Sequence, residues 1–470
     1  MNYKIFSKFK SNIAFITEKN EKKTYKNLIQ DIKNKNNLKI KKNSLVFLNS
    51  SQTYAFCCLY YYFIINKIVP VILNENIDMR KMSDLVTKYS PNVIISLSKL
   101  NNKSYKLDSK LENYFFYKKK NHKKLNICPE ISVLMSTSGS TGDSKFVALS
   151  KQNILSNTKS IIKYLKMSSR DTSITSLPLS YSFGLSVINT HLYKGGKIIL
   201  TSKSFFQKDF WDYFKNYNIS YLYGVPFSFE ILFKLGIFKK NLNSIKYFAV
   251  AGGALSKELL KKYLNYCLKT KKFFICMYGQ TEATTRISYL PFKNLTKKIG
   301  SIGQAIPGGK LKIYDLKGNQ IIKSHTEGEL IYEGKNVMIG YIESLKDLIK
   351  KRKNNFQLFT GDLGYFDKEN FFYITGRKKR IIKIYGHRIS LDQLQLYLQS
   401  KNIINACVAN KDILYTFIVD FKYSTEEIIK LINNYIGINI SKSFKLIKIK
   451  SLPTNNNGKI EFQKLYEYFK

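Results

Sequence analysis

The sequence predicts an α/β protein: layered α/β units through about residue 290, a small β-rich segment after Ile299, and an α+β lobe from about Gly376. Three observations carry this. In residues 1 to about 125, amphipathic helical stretches alternate with short β-branched runs such as LVFL (45–48), VPVIL (69–73) and NVIISL (92–97). The alternation continues through SITSLPL, KIILTS, ISYLYGVP and IKYFAVAGG. After Ile299 the chain changes to short strand-like runs punctuated by glycine, GSIGQAIPGGKLKIYDLKGNQ and GELIYEGKNVMIGY, before mixed character returns at Gly376.

At 470 residues, with 44% hydrophobic and 14% aromatic residues, the chain has ample material for a large core. The formal net charge of +46 is of the size that nucleic acid or anionic surfaces attract. Lysine is spread along nearly the whole chain, however, together with Asn, Ile, Tyr and Phe, as AT-rich codon bias would produce. Cys57, Cys58, Cys128, Cys267, Cys276 and Cys407 show no metal spacing and read as buried free thiols of a reducing, cytoplasmic setting. The start of the chain has interspersed charges and lacks the apolar core of a secretory signal. One run, Tyr54 to Leu73, is long enough for a membrane span, but Asn66, Lys67 and Pro70 interrupt it. A helix to about Ile65, a turn and a buried strand at 69–73 are expected instead, and a membrane span is not.

The densest chemical signal is Ser136-Thr-Ser-Gly-Ser-Thr-Gly-Asp-Ser-Lys145. Gly139 and Gly142 free the backbone to turn its N–H groups inward, hydroxyls at Thr137, Ser138, Ser140 and Thr141 add hydrogen bonds, and Lys145 adds a cation. These are the parts of a phosphate cradle. The spacing is not that of a P-loop, and the flanks ISVLM (131–135) and FVALS (146–150) read as strands, with Ser150 capping the next helix.

Four more segments accompany this loop: Tyr278-Gly279-Gln280-Thr281-Glu282, Thr360-Gly-Asp362, the basic Gly376 to Arg388, and PTNNNGK from Pro453 to Lys459. In this order and spacing they resemble the AMP-forming acyl-adenylate superfamily, which includes acyl-CoA synthetases, firefly luciferase and peptide-synthetase adenylation domains. The flavour is that of its small bacterial acyl ligases. The resemblance implies a large domain, 1–376, of two layered α/β subdomains with a β-rich segment at about 299–376. A small mobile lobe, 377–470, would rotate about a hinge near Lys379.

It also implies an ATP- and Mg²⁺-dependent ligase that joins a carboxylic acid to AMP and then passes the acyl group to a thiol. Lys459 would hold the carboxylate and an α-phosphate oxygen, Thr281 would bond that phosphate, and Glu282 would carry Mg²⁺. Tyr278 would stack on adenine, with Gly279, Gln280 and Gly253 beside it, and Asp362 would accept the ribose hydroxyls with Arg377 assisting. Lys383 and Gly386 would face the thiol tunnel. Tyr181, Gly224, Ala251 and Gly252 would line the acyl pocket, where no anion waits for an ammonium group, so an acid without an α-amino group is expected.

The acceptor is the pantetheine thiol of CoA or of an acyl carrier protein, and a basic enzyme would suit an acidic carrier. Departures from the family pattern include Asp143-Ser144 before Lys145, Phe146 after it, and Asp392-Gln-Leu-Gln395 in place of the usual glutamates after the hinge. The alternative is a basic nucleic-acid-binding protein on an inactive ligase-like scaffold, although no nucleic-acid-binding motif is visible.

Overall fold

The computed structural model describes residues 3–120, 125–136, 145–351, 355–419, 422–454 and 459–469. Two large sheets dominate it. In a nine-stranded sheet, Ile13–Ile16, Lys197–Ile199, Thr172–Ile174, Tyr221–Gly224, Tyr247–Val250 and Phe273–Tyr278 run parallel, and antiparallel strands close both edges. The eight-stranded second sheet has Val69–Leu73, Leu45–Asn49 and Val93–Ser96 parallel at its centre. The buried strands of both are near-continuous Val, Ile, Leu and Phe, as sheets covered on two faces require.

Helices Tyr54–Ile65 and Ser182–Lys194 pack in the layer between these sheets, in one core with Phe15, Val46, Leu48, Val133 and Ile198. That position explains the run that is long enough for a span. Ten of the twelve residues of Tyr54–Ile65 are buried, so the helix is apolar all round because protein covers every face. Thr53 caps its start by accepting from Phe56 N, and Lys67 at φ +57° turns the chain into the strand Val69–Leu73. Among the described residues no helix is long and apolar enough to cross a membrane.

The β-rich segment forms a five-stranded antiparallel sheet of Gln320–Ile321, Gly309–Tyr314, Gly328–Gly334, Gln357–Phe366 and Phe372–Arg377. Two short pieces of the same stretch leave it: Gln304–Ala305 extends the nine-stranded sheet and Gly340–Ile342 the eight-stranded one. The C-terminal portion has its own core around Ile384, Leu394, Leu398, Ile428 and Ile432, between a hairpin and a three-stranded sheet. Five cysteines are buried as expected; Cys276 is the exception, half-buried near the end of its strand.

Candidate active site

The parallel strands Tyr221–Gly224, Tyr247–Val250 and Phe273–Tyr278 end side by side, and the crevice beyond the carboxyl ends of such strands is where open α/β sheets bind ligands. Gly224, Ala251, Gly252, Gly253 and Tyr278 all lie at these ends. Ala251 N donates to Gly224 O at 3.2 Å. A Cβ on Gly252, where φ is +89°, would sit 3.4 Å from Val225 and 3.8 Å from Lys459 Nζ. The C-terminal lysine therefore reaches the rim of the large body. Burial, and secondarily the charge of Arg377, hold its ammonium pKa below the ordinary lysine value.

Tyr278 donates its hydroxyl to Asp362 Oδ2, and Arg377 Nε stands 3.4 Å from Asp362 Oδ1. Strand register brings these residues together, because Asp362 lies directly opposite Arg377 on adjacent strands. Burial raises the Asp362 pKa, while the Tyr278 hydrogen bond and the Arg377 charge oppose the rise. Gln280 Nε2 donates to Thr360 O at 3.2 Å, tying the Tyr278 turn to the same sheet.

Gly279 has a steric cause. A Cβ there would lie 2.0 Å from Thr285 O, since the chain doubles back against it. In that return Thr284 and Thr285 adopt φ of +53° and +106°, costly for β-branched residues. The segment is pinned from outside: Asn336 Nδ2 donates to Ala283 O and Arg286 O, and Asn157 Nδ2 also donates to Arg286 O. Thr281 Oγ1 lies 3.3 Å from Ser182 Oγ, which also accepts from Thr285 Oγ1 at 3.1 Å. Tyr181, half-buried, precedes the helix that begins at Ser182.

Glu282 accepts a 2.8 Å hydrogen bond from Tyr341, and Lys145 Nζ lies 3.9 Å from the centre of the same Tyr341 ring. Lys145 thus emerges from the strand Phe146–Ser150 toward Glu282. Thr137, Ser138, Gly139, Ser140, Thr141 and Gly142 lie outside the described residues. Tyr341 is a site neighbour that the sequence reading missed, as is Asp392, which accepts from Arg377 N at 3.1 Å and Arg380 Nε at 2.5 Å. In the sequence Asp392 stands out only as a departure from the family's glutamates.

Around Lys379, which is exposed, the flanking cations are tied in different directions. Lys378 bridges to Glu329 of the five-stranded sheet at 2.8 Å, whereas Arg380 pairs with Asp392 and stacks on Phe462 of the C-terminal portion at 3.8 Å. Lys383 and Gly386 are exposed on the hairpin that follows, and nothing lies within 4 Å of a Cβ on Gly386.

Comparison with known proteins agrees with this architecture. The chain is similar to o-succinylbenzoate CoA synthetase from Bacillus subtilis, solved with its acyl-adenylate intermediate, at a TM-score of 0.79 and 20% identity over 98% of this chain and 97% of that one. ATP-bound MatB from Rhodopseudomonas palustris gives 0.78 and 18% over 100% and 99%. The fold is that of the adenylate-forming enzymes. The model of the AMP-binding enzyme family matches residues 8–342, and the chain belongs to that family. In sequence it is 29% identical to luciferin 4-monooxygenase of Nipponoluciola cruciata over 60% of this chain, and 27% identical to oxalate–CoA ligase of Saccharomyces cerevisiae over 72%. The matches span 51% and 63% of those relatives' lengths.

Proposed function

We propose that the protein activates a carboxylic acid as its acyl-adenylate, releasing pyrophosphate from ATP, and then transfers the acyl group to a pantetheine thiol, releasing AMP. The observation that carries this reading is the approach of Lys459 to Gly252 at the strand ends that also hold Tyr278 and its partner Asp362. An acid carboxylate attacking an α-phosphate brings two anions together, so a cation must already stand where they meet. A lysine withdrawn from water gains most from that anion, because its own solvation has been partly given up.

Thr281, held by Ser182, would donate to the same phosphate. Asp362 has its Oδ2 occupied by Tyr278, which leaves Oδ1, faced by Arg377, to receive a ribose hydroxyl. The Tyr278 ring is fixed in plane by that bond, as a base-stacking surface needs to be. Glu282 suits Mg²⁺, an ion commonly held by one or two carboxylates plus substrate phosphates. The ion would neutralise phosphate charge, with Tyr341 orienting Glu282.

The acceptor is CoA or a pantetheinyl acyl carrier protein, in a cytoplasmic setting; the CoA-ligase names among the relatives favour CoA. The hinge at Lys379 and the open flank of Lys383 and Gly386 support a second half-reaction in a rotated lobe. The nucleic-acid alternative gains nothing from the family match. The test is exchange of labelled pyrophosphate into ATP over a panel of short, medium, aromatic and hydroxy acids, repeated with CoA or carrier protein to detect thioester. Exchange that depends on acid and Mg²⁺ is expected; ATP binding without exchange for any acid would overturn the reading.

A further inference from the structure

Arg286 is 2% exposed and is the largest fully buried side chain of the molecule's described part. No carboxylate among the described residues pairs with it. Its guanidinium lies 3.8 Å over the Phe183 ring. Nε donates to the thioether of Met277 at 3.3 Å and Nη1 to Thr285 O and Oγ1 at 3.4 and 3.2 Å, and the Tyr164 hydroxyl also bonds the guanidinium, all neutral partners and the first a weak one. Beside it the Tyr223 hydroxyl is buried without any hydrogen-bond partner. A guanidinium stays charged at every physiological pH, so this is a desolvated cation whose counter-charge the described protein does not supply.

The location gives the arrangement a purpose. Phe183, Tyr223, Val225, Ala251 and Met277 form one apolar cluster, and Val225 borders Gly252, where Lys459 arrives. A continuous wall therefore leads from the reacting end of the crevice to Arg286. Resting on the adenylation reading, we infer that Arg286, with the Tyr223 hydroxyl, receives a second carboxylate at the far end of the substrate, and that the enzyme's acid is a dicarboxylic acid. The planar fork of the guanidinium matches a carboxylate in two-point contact better than it matches a thioether, a threonine and a phenol. A substrate with an apolar tail would leave the same cation uncompensated.

Pyrophosphate exchange with succinate, glutarate, adipate and phthalate, each against its monomethyl ester, tests this on the full chain. The wild type should prefer the preferred diacid over its monoester by about 100-fold in kcat/KM, the scale expected when one partner of a buried charged pair is removed. Arg286→Met should raise KM for the diacid by a similar factor while changing exchange with the monoester only a few-fold, and Arg286→Lys should restore part of the preference. Equal or better use of monocarboxylic acids by the wild type would overturn the inference while leaving adenylation standing. So would an Arg286→Met variant that loses exchange with both acids alike, the mark of a structural strut. Exchange with no acid of either kind would overturn the adenylation reading and this inference together.

Discussion

His191 shows how a single side chain sets a pH limit. It is fully buried in the helix Ser182–Lys194, its Nδ1 bonded to Val187 O at 3.0 Å and its Nε2 without a partner. Burial lowers its pKa from 6.5 to about 4. The unfolded chain therefore binds the proton more tightly, and stability present above pH 6.5 is lost as pH falls toward 4, by about 3 kcal/mol in all. Urea titrations across that window should show the loss, and His191→Gln should flatten its part of the slope; an unchanged slope would place the acid sensitivity elsewhere. Lys459 and Asp362 were recognisable in the sequence because Gly-Lys and Thr-Gly-Asp recur as motifs. Arg286 and Tyr341 were not, since an Arg after two threonines and a Tyr after Ile-Gly look like ordinary surface and strand residues. Their placement rests on contacts 100 or more residues away in sequence with Phe183 and Lys145.

The turn after Phe273–Tyr278 is the element on which the crevice depends. Its Gly279 faces Thr285 O at a distance no Cβ can tolerate, and the strained Thr284 and Thr285 cannot easily move because Asn336 holds them. Gly279→Ala is expected to cost about 3 kcal/mol and to lower the urea midpoint, with exchange activity falling as the Tyr278–Asp362 contact is displaced. A variant as stable as the wild type would show that the segment relaxes freely. The elements themselves were largely readable: the helix to Ile65, the strand Val69–Leu73, and the strands on either side of residues 137–144 follow from period and punctuation. What period could not tell was sheet membership. Gln304–Ala305 and Gly340–Ile342 read as parts of the β-rich segment yet complete the two larger sheets, because pairing is a tertiary choice that short strands do not encode locally.

At the scale of the whole molecule, the proposed ligase runs two half-reactions on one chain. Lys378 bonds Glu329 of the five-stranded sheet and Arg380 bonds Asp392, which also accepts from Arg377 N, so exposed Lys379 lies between contacts to the sheet and to the C-terminal portion, where the proposed pivot would act. Lys383→Ala should accordingly spare pyrophosphate exchange and slow thioester formation by about 10-fold or more; equal loss of both would count against rotation. The order of motifs along the chain implies this plan, whereas the acceptor is decided by surfaces that no motif names. Adenylation through Lys459 is tested by acid-dependent pyrophosphate exchange by the wild type and Lys459→Ala at matched ATP occupancy. Robust wild-type exchange is expected, with a loss of about 100- to 1000-fold in the variant while ATP still binds. Exchange that survives removal of the Lys459 ammonium would contradict it.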